Sequence, residues 1–198
     1  MIVDLALTDM TENMNFPLLG EPLSVDLVNT HMRSRGADVD LLGTTLALNA
    51  WLKVQGHRIA WTGRASASDL RAVLALREVL DALLRAHCEA RRPAAAALQT
   101  FNRTLRSQSP QAQLTWPPSG PRPAPLAATS RRKTLLHQLA LDALEVLTGP
   151  QAGLLRKCAN PDCILLFVAD NPRRCWCSSA VCGNRARVSR HYQYQRSH

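Results

Sequence analysis

The sequence predicts a mainly α fold with a small β component (α+β): a helical N-terminal domain followed by a small C-terminal module built on cysteines. Three observations carry this. Apolar residues recur at helical spacing in four stretches between Gly43 and Leu147. Alternation of the β kind is confined to short runs. Five of the six cysteines fall in the last quarter of the 198-residue chain.

Taken in order, residues 1–19 mix Asp, Thr, Asn and Met without sustained periodicity and read as a flexible leader. Residues 20–150 form the helical domain and 151–198 the C-terminal module. Within the domain, alternation from Leu23 to Val28 predicts a strand with Leu23, Val25 and Leu27 on one face, ended by Asn29-Thr30. Arg33 to Asp40 reads as a polar loop around Gly36. Leu42, Leu46, Ala50, Trp51 and Val54 predict a helix over about 43–55, stopped by Gly56. Ser66 and Asp69 form a capping box at the head of the strongest helix, whose stripe runs through Leu70, Val73, Leu74, Arg77, Leu80, Leu84 and Cys88. Pro93 separates it from a helix over about 94–107. Gln113 to Trp116 is a short strand candidate, expected to pair with the first strand. Five prolines between Pro117 and Ala127 predict an irregular loop, and a helix over about 128–147 ends at Gly149-Pro150.

The C-terminal module carries the chemistry. Cys158-Ala-Asn-Pro-Asp-Cys163 and Cys177-Ser-Ser-Ala-Val-Cys182 each enclose four residues, and thirteen separate the pairs. Two close thiol pairs joined by a connector supply the four ligands of a tetrahedral zinc site, with each pair closing a short chelate loop. The competing readings are disulfides or ordinary core thiols. The N-terminus has Asp4 and Asp9 and no basic region of the secretory kind, which points to a cytoplasmic protein with reduced thiols. Crowding of cysteines at one end is not what random core usage produces. Four cysteines leave no open coordination position, so one structural Zn2+ is expected on Cys158, Cys163, Cys177 and Cys182. Strand-like runs at 154–157 and 164–168 flank the first pair, and Ser178-Ser179 caps a helix over about 179–195. A knuckle, a hairpin and then a helix bearing the last ligand is, by analogy, a treble-clef-like zinc finger. Cys175 lies two residues before Cys177, so an extended backbone would aim both side chains to one face.

Net charge is +9 and nearly all of the basic side is arginine, with lysine only at positions 53, 133 and 157. From Gln151 onward eight basic residues face Asp162 and Asp170, whereas residues 1–150 hold sixteen basic against thirteen acidic. Four thiolates on a divalent ion subtract two charges, and the finger remains clearly positive. A concentrated positive field attracts polyanions, and the candidates for nucleic-acid contact are Arg173, Arg174, Arg185, Arg187, Arg190, His191 and Arg196. Tyr192 and Tyr194 add stacking or hydrogen-bonding groups. The plainer reading is a solvated helix face, and the rival function is a protein–protein interaction finger. No catalytic motif appears, so an enzyme is not expected. No apolar run approaches a membrane span. Asn29 and Thr30 are candidates for a small-molecule effector pocket, against the plainer alternative that they satisfy backbone groups at an element's end.

The run Trp176-Cys177-Ser178 … Cys182-Gly183-Asn184-Arg185-Ala186-Arg187 resembles the CGNR zinc-finger family. In that family the finger closes proteins that begin with an ABATE domain, and Glu21-Pro-Leu-Ser-Val-Asp26-Leu-Val-Asn29-Thr30 resembles that domain's opening segment. The resemblance implies a bacterial, DNA-binding, stress-related transcription regulator. A single module this small rarely gives tight specific binding, so a homodimer formed through the N-terminal domain is the expected source of specificity. Where the family has two arginines before Trp-Cys, Cys175 stands between Arg174 and Trp176, and the loop from Phe167 to Cys177 is about two residues short.

Overall fold

Ser66 and Asp69 start the longest helix as the capping box requires. The Asp69 N–H donates to Ser66 Oγ at 3.2 Å and the Ser66 N–H donates to Asp69 Oδ2 at 2.9 Å. In a computed structural model that describes residues 16–34, 36–107, 112–125 and 130–196, this helix spans Ala67–Cys88. In chain order the other helices are α1 (Leu23–Val28), α2 (Thr45–Val54), α4 (Ala95–Arg106), α5 (Arg131–Thr148) and α6 (Asn184–Arg196), the Ala67–Cys88 helix being α3. Three two-stranded antiparallel sheets accompany them: β1 (His31–Ser34) with β2 (Ala37–Asp40), β3 (Ala112–Thr115) with β4 (Arg122–Pro125), and β5 (Leu155–Lys157) with β6 (Leu166–Val168). The fold is mainly α with small β parts. No helix among the described residues is long and apolar enough to cross a membrane.

α3 is the hub. It packs against α1, α4, α5 and β5, burying Val73, Leu76, Leu80, Leu83 and Leu84. α2, capped by Thr44 accepting from the Ala47 N–H at 3.1 Å, brings in Leu48 and the fully enclosed Trp51. α5 adds Leu135, Leu139, Ala140 and Ala143, and α4 adds Phe101. Leu155 and Leu166 of the C-terminal module belong to the same core, so the module is fused to the domain rather than strung from it. Residues 1–15 of the expected leader lie outside the described residues, while Phe16 is buried in the core. Cys88 is half-buried against that core.

Three local expectations are corrected. Leu23–Val28 is a helix, not a strand. Every one of its six residues is buried, so alternation of apolar residues carries no information about a wet and a dry face. Its first N–H groups, which no helical partner can satisfy, donate to the Asp142 carboxylate of α5, Leu23 at 3.1 Å and Ser24 at 2.7 Å. Arg33–Asp40 is not a loop but most of a hairpin, with Ser34 opposite Ala37 and Gly36 at φ +82° in the turn. Its side chains are largely exposed, so no apolar face marks it in the sequence. The strand at Ala112–Thr115 pairs with Arg122–Pro125 inside the proline-rich stretch rather than with the first segment. Pro123 and Pro125 are two apart, so both missing N–H groups fall on one edge of the strand and leave the other free to pair.

One ion pair holds the β1–β2 hairpin to the hub. Arg77, buried in α3, donates to both carboxylate oxygens of Asp40 at 2.7 and 2.6 Å and to Thr30 Oγ1 at 3.0 Å. The Arg77 guanidinium holds the Asp40 carboxyl below its ordinary value of 3.8. A lowered acid contributes stability that is complete above the ordinary value and is lost as pH falls through the lowered one. Asp40→Asn is expected to cost about 2 kcal/mol at pH 7, less than for a fully enclosed pair because Asp40 faces water on one side. Urea melts across the acid range check this: the variant's stability should vary less with pH below the ordinary carboxylate value than the parent's.

Candidate metal centre and its basic face

β5 and β6 form the expected hairpin, and the Cys158–Cys163 knuckle closes its end. The knuckle is built by backbone geometry. The Cys158 N–H donates to Leu165 O at 3.0 Å, the Cys163 N–H to Asn160 O at 2.9 Å, and the Asp162 N–H to Asn160 Oδ1 at 3.0 Å. Pro161 stiffens the turn between them. The second pair straddles a helix start, as its spacing requires. Cys177 precedes the cap residue Ser178, whose Oγ accepts from the Val181 N–H at 3.2 Å. Cys182 sits in a wide π-type turn over Ser179–Gly183, closed by the Gly183 N–H donating to Ser178 O at 3.0 Å. That widened turn brings Cys182 round to face Cys177.

The four sulfurs lie within 4.8 Å of one another and all four residues are buried. Cys163 and Cys177 Sγ are 3.8 Å apart, Cys177 and Cys182 Sγ 3.6 Å. Sulfurs about 2.3 Å from a central zinc would stand at tetrahedral edges of about 3.8 Å, so the cluster has the size of the ion. The sulfur environment fits as well. Cys158 is pushed down to about 2 by hydrogen bonds from the Cys163 and Cys177 thiols, with backbone N–H groups of Cys177 and Asn160 adding to the effect. Cys163 is pushed up to about 12, first by its hydrogen bond to Cys158, and Cys177 is pushed up for the same reason. Close packing thus favours the thiolate at Cys158 and opposes it at Cys163 and Cys177, and a divalent cation among the sulfurs would offset that opposition. One structural Zn2+ fits Cys158, Cys163, Cys177 and Cys182. Cys175 is exposed and is not part of the four-sulfur cluster.

With the fold and cluster in view, comparison with known families is decisive. Residues 21–150 match the ABATE family, described as "Putative stress-induced transcription regulator", and residues 155–195 match the CGNR zinc finger. The chain belongs to the ABATE family. No curated protein matches it. An ABATE region followed by a CGNR finger is a regulatory, zinc-binding architecture.

The segment that opens the ABATE region grips the finger. Asn29 Nδ2 donates to Leu166 O and the Leu166 N–H donates to Asn29 Oδ1, both at 2.9 Å and both buried. Glu21 Oε2 accepts from the Val168 N–H at 2.7 Å. One side chain therefore satisfies both backbone groups of Leu166, and a second extends the grip along the same strand. From α3, Arg85 donates to Ile164 O at 2.9 Å, and His87 Nε2 lies 2.9 Å from Ala152 O. Thr30 donates to Leu27 O at 2.6 Å and accepts from Arg77. Asn29 and Thr30 are thus enclosed and hydrogen-bonded within the protein. Sequence reasoning had no access to Glu21 as a clamp, because its partner lies 147 residues away.

The candidate contact arginines separate into two groups. Arg174 is internal to the finger. It donates to Cys177 O at 2.7 Å and Trp176 O at 3.1 Å, lies 4.7 Å over the Phe167 ring, and stands 3.6 Å from Glu21. Burial pushes the Glu21 carboxyl up, and the Val168 N–H and the Arg174 charge oppose that. Arg173, Arg185, Arg187 and His191 are exposed. Arg187 also reaches Ser179 O at 3.3 Å. The side chains of Arg190, Tyr194 and Arg196 lie outside what is described.

Purified protein should contain one zinc per chain by metal analysis. Serine at any of the four ligand positions should release it, with a loss of finger stability on the order of 10 kcal/mol. Circular dichroism should show the helical domain surviving with a lowered Tm. Asn29→Ala tests the grip: it strands the Leu166 N–H and C=O in the interior and should cost about 2–4 kcal/mol. Zinc content should be unchanged, and hydrogen exchange at Leu166 should accelerate.

Proposed function

We propose that the chain is a cytoplasmic transcriptional regulator that binds DNA through its zinc finger, the helical domain holding the finger in one orientation. The observation that carries this is that Arg173, Arg185, Arg187 and His191 of the finger are each exposed, with no acidic side chain paired to them among the described ion pairs. An exposed guanidinium with no carboxylate partner has its donors available to phosphate. Zinc supports this face by fixing the start of α6 relative to the knuckle. Arg174 is set aside as a phosphate contact, since its donors are engaged by the finger's own carbonyls and its charge by Glu21.

A protein-interaction finger is the rival. Salt separates the two, because phosphate contacts release condensed counterions and protein contacts do not to the same degree. With Arg173, Arg185 and Arg187 each neutralising one phosphate, log affinity for mixed genomic DNA should fall with log salt at a slope of about −2.7. Arg190 and Arg196, if engaged, would steepen it toward about −4.5. Arg185→Ala should flatten the slope by about 0.9 without altering zinc content. Absent or salt-independent DNA binding would turn the assignment to a protein partner.

A further inference from the structure

Between the knuckle and the first turns of α6 lies a cleft of about 520 Å3, lined by Asn160, Asp162, Trp176, Arg185 and Ser189 among others. We infer that this cleft receives a single unstacked nucleobase, so that the finger favours single-stranded or locally opened DNA over intact duplex. The inference rests on the DNA-binding reading above and names what that site grips.

The walls are rigid because both are tied to the four-cysteine centre, the knuckle through Cys158 and Cys163 and the helix start through Cys182. Trp176 lies across Gly183, where an added Cβ would come within 3.2 Å of the indole Cδ1. The glycine thus lets the ring approach the helix start closely, and Trp176 is half-buried and lines the cleft. In the cleft wall, Asn160 is 7% exposed. Its Oδ1 is taken by the Asp162 N–H, while its Nδ2 is buried without a hydrogen-bond partner. A buried amide donor lacking an acceptor is costly, and a ligand acceptor would relieve it. Asp162 and Arg185 are exposed beside it, one an acceptor and the other a cation.

The ligand that matches this set is flat and aromatic, carries donors and acceptors on its edge, and is attached to an anion. A nucleobase with its phosphate has all of these. The indole provides a stacking surface, Asn160 and Asp162 face the base edge, and Arg185 takes the adjoining phosphate. In a continuous duplex the base faces are covered by neighbouring pairs, so only an unstacked base can enter. A peptide is disfavoured by the finger's positive surplus, which repels basic segments and offers acidic ones no use for the ring.

Zinc-loaded full-length protein should be titrated with a mixed-sequence single strand and with the duplex made from it. The single strand is expected to bind about tenfold more tightly and to quench indole fluorescence. Trp176→Ala should abolish that advantage while changing duplex affinity little. Trp176→Phe should keep the advantage but lose the quenching, which decides the matter even if the alanine variant fails to hold zinc. Equal affinity for both nucleic acids with no quenching overturns the cleft assignment and leaves the DNA reading standing. Binding to neither overturns both.

Discussion

Four buried sulfurs within 4.8 Å of one another are an electrostatic problem before they are a structural feature. Without a cation, hydrogen bonding among the sulfurs favours the thiolate at Cys158 and pushes Cys163 and Cys177 up. With a divalent ion all four ionise, and mutual repulsion becomes mutual attachment. Every other feature of the finger follows from that exchange. The module has only a three-residue pair of strands and a strongly polar helix, and its apolar cluster consists largely of the cysteines themselves with Leu165, Phe167 and Ala169. A core so small cannot fix the geometry by burial, so the metal does it.

The finger is nevertheless not autonomous. Leu155 and Leu166 lie in the helical domain's core, and the polar groups of the same strand are met by Asn29 and Glu21. Side-chain amides that satisfy a strand's N–H and C=O together act as a surrogate neighbouring strand. This covers part of an edge that would otherwise be open in a two-stranded sheet. The arrangement couples zinc occupancy to the helical domain, since melting the finger would strip Leu155 and Leu166 from a shared core. It also fixes the direction of the basic helix relative to α3.

Much of this was readable in the sequence where the signal is local. The Ser66–Asp69 box, the Thr45–Val54 and Arg131–Thr148 stripes, the Cys158–Cys163 knuckle and the cap at Ser178 all depend on neighbours within a few residues. What escaped depends on burial or distance. α1 alternates like a strand because its surroundings are dry on all sides, a tertiary fact absent from six residues of sequence. The β1–β2 hairpin has little buried face, so it leaves no period to find. In β4 the prolines that argue for a loop are tolerated because they share an edge. Cys175 carries no local signal of its surroundings, and it stands exposed outside the four-sulfur cluster.

The arginines show why composition alone is a poor guide to an interface. Arg174 and Arg173 are adjacent and look equivalent in the sequence, yet only Arg173 faces water with its donors free for a phosphate. Arg174 has three tasks within the finger: it donates to the carbonyls of Trp176 and Cys177, covers the Phe167 ring, and offsets the buried charge of Glu21. It therefore braces the strand leading into the metal site against the opening segment of the helical domain. A neighbouring arginine at position 175 would have added a second exposed cation, and cysteine there removes one positive charge from the face without disturbing the brace. The basic surface is thus the remainder left after the finger's own carbonyls and carboxylates have taken the guanidinium they need, and that remainder, rather than the total of +9, is what a polyanion meets.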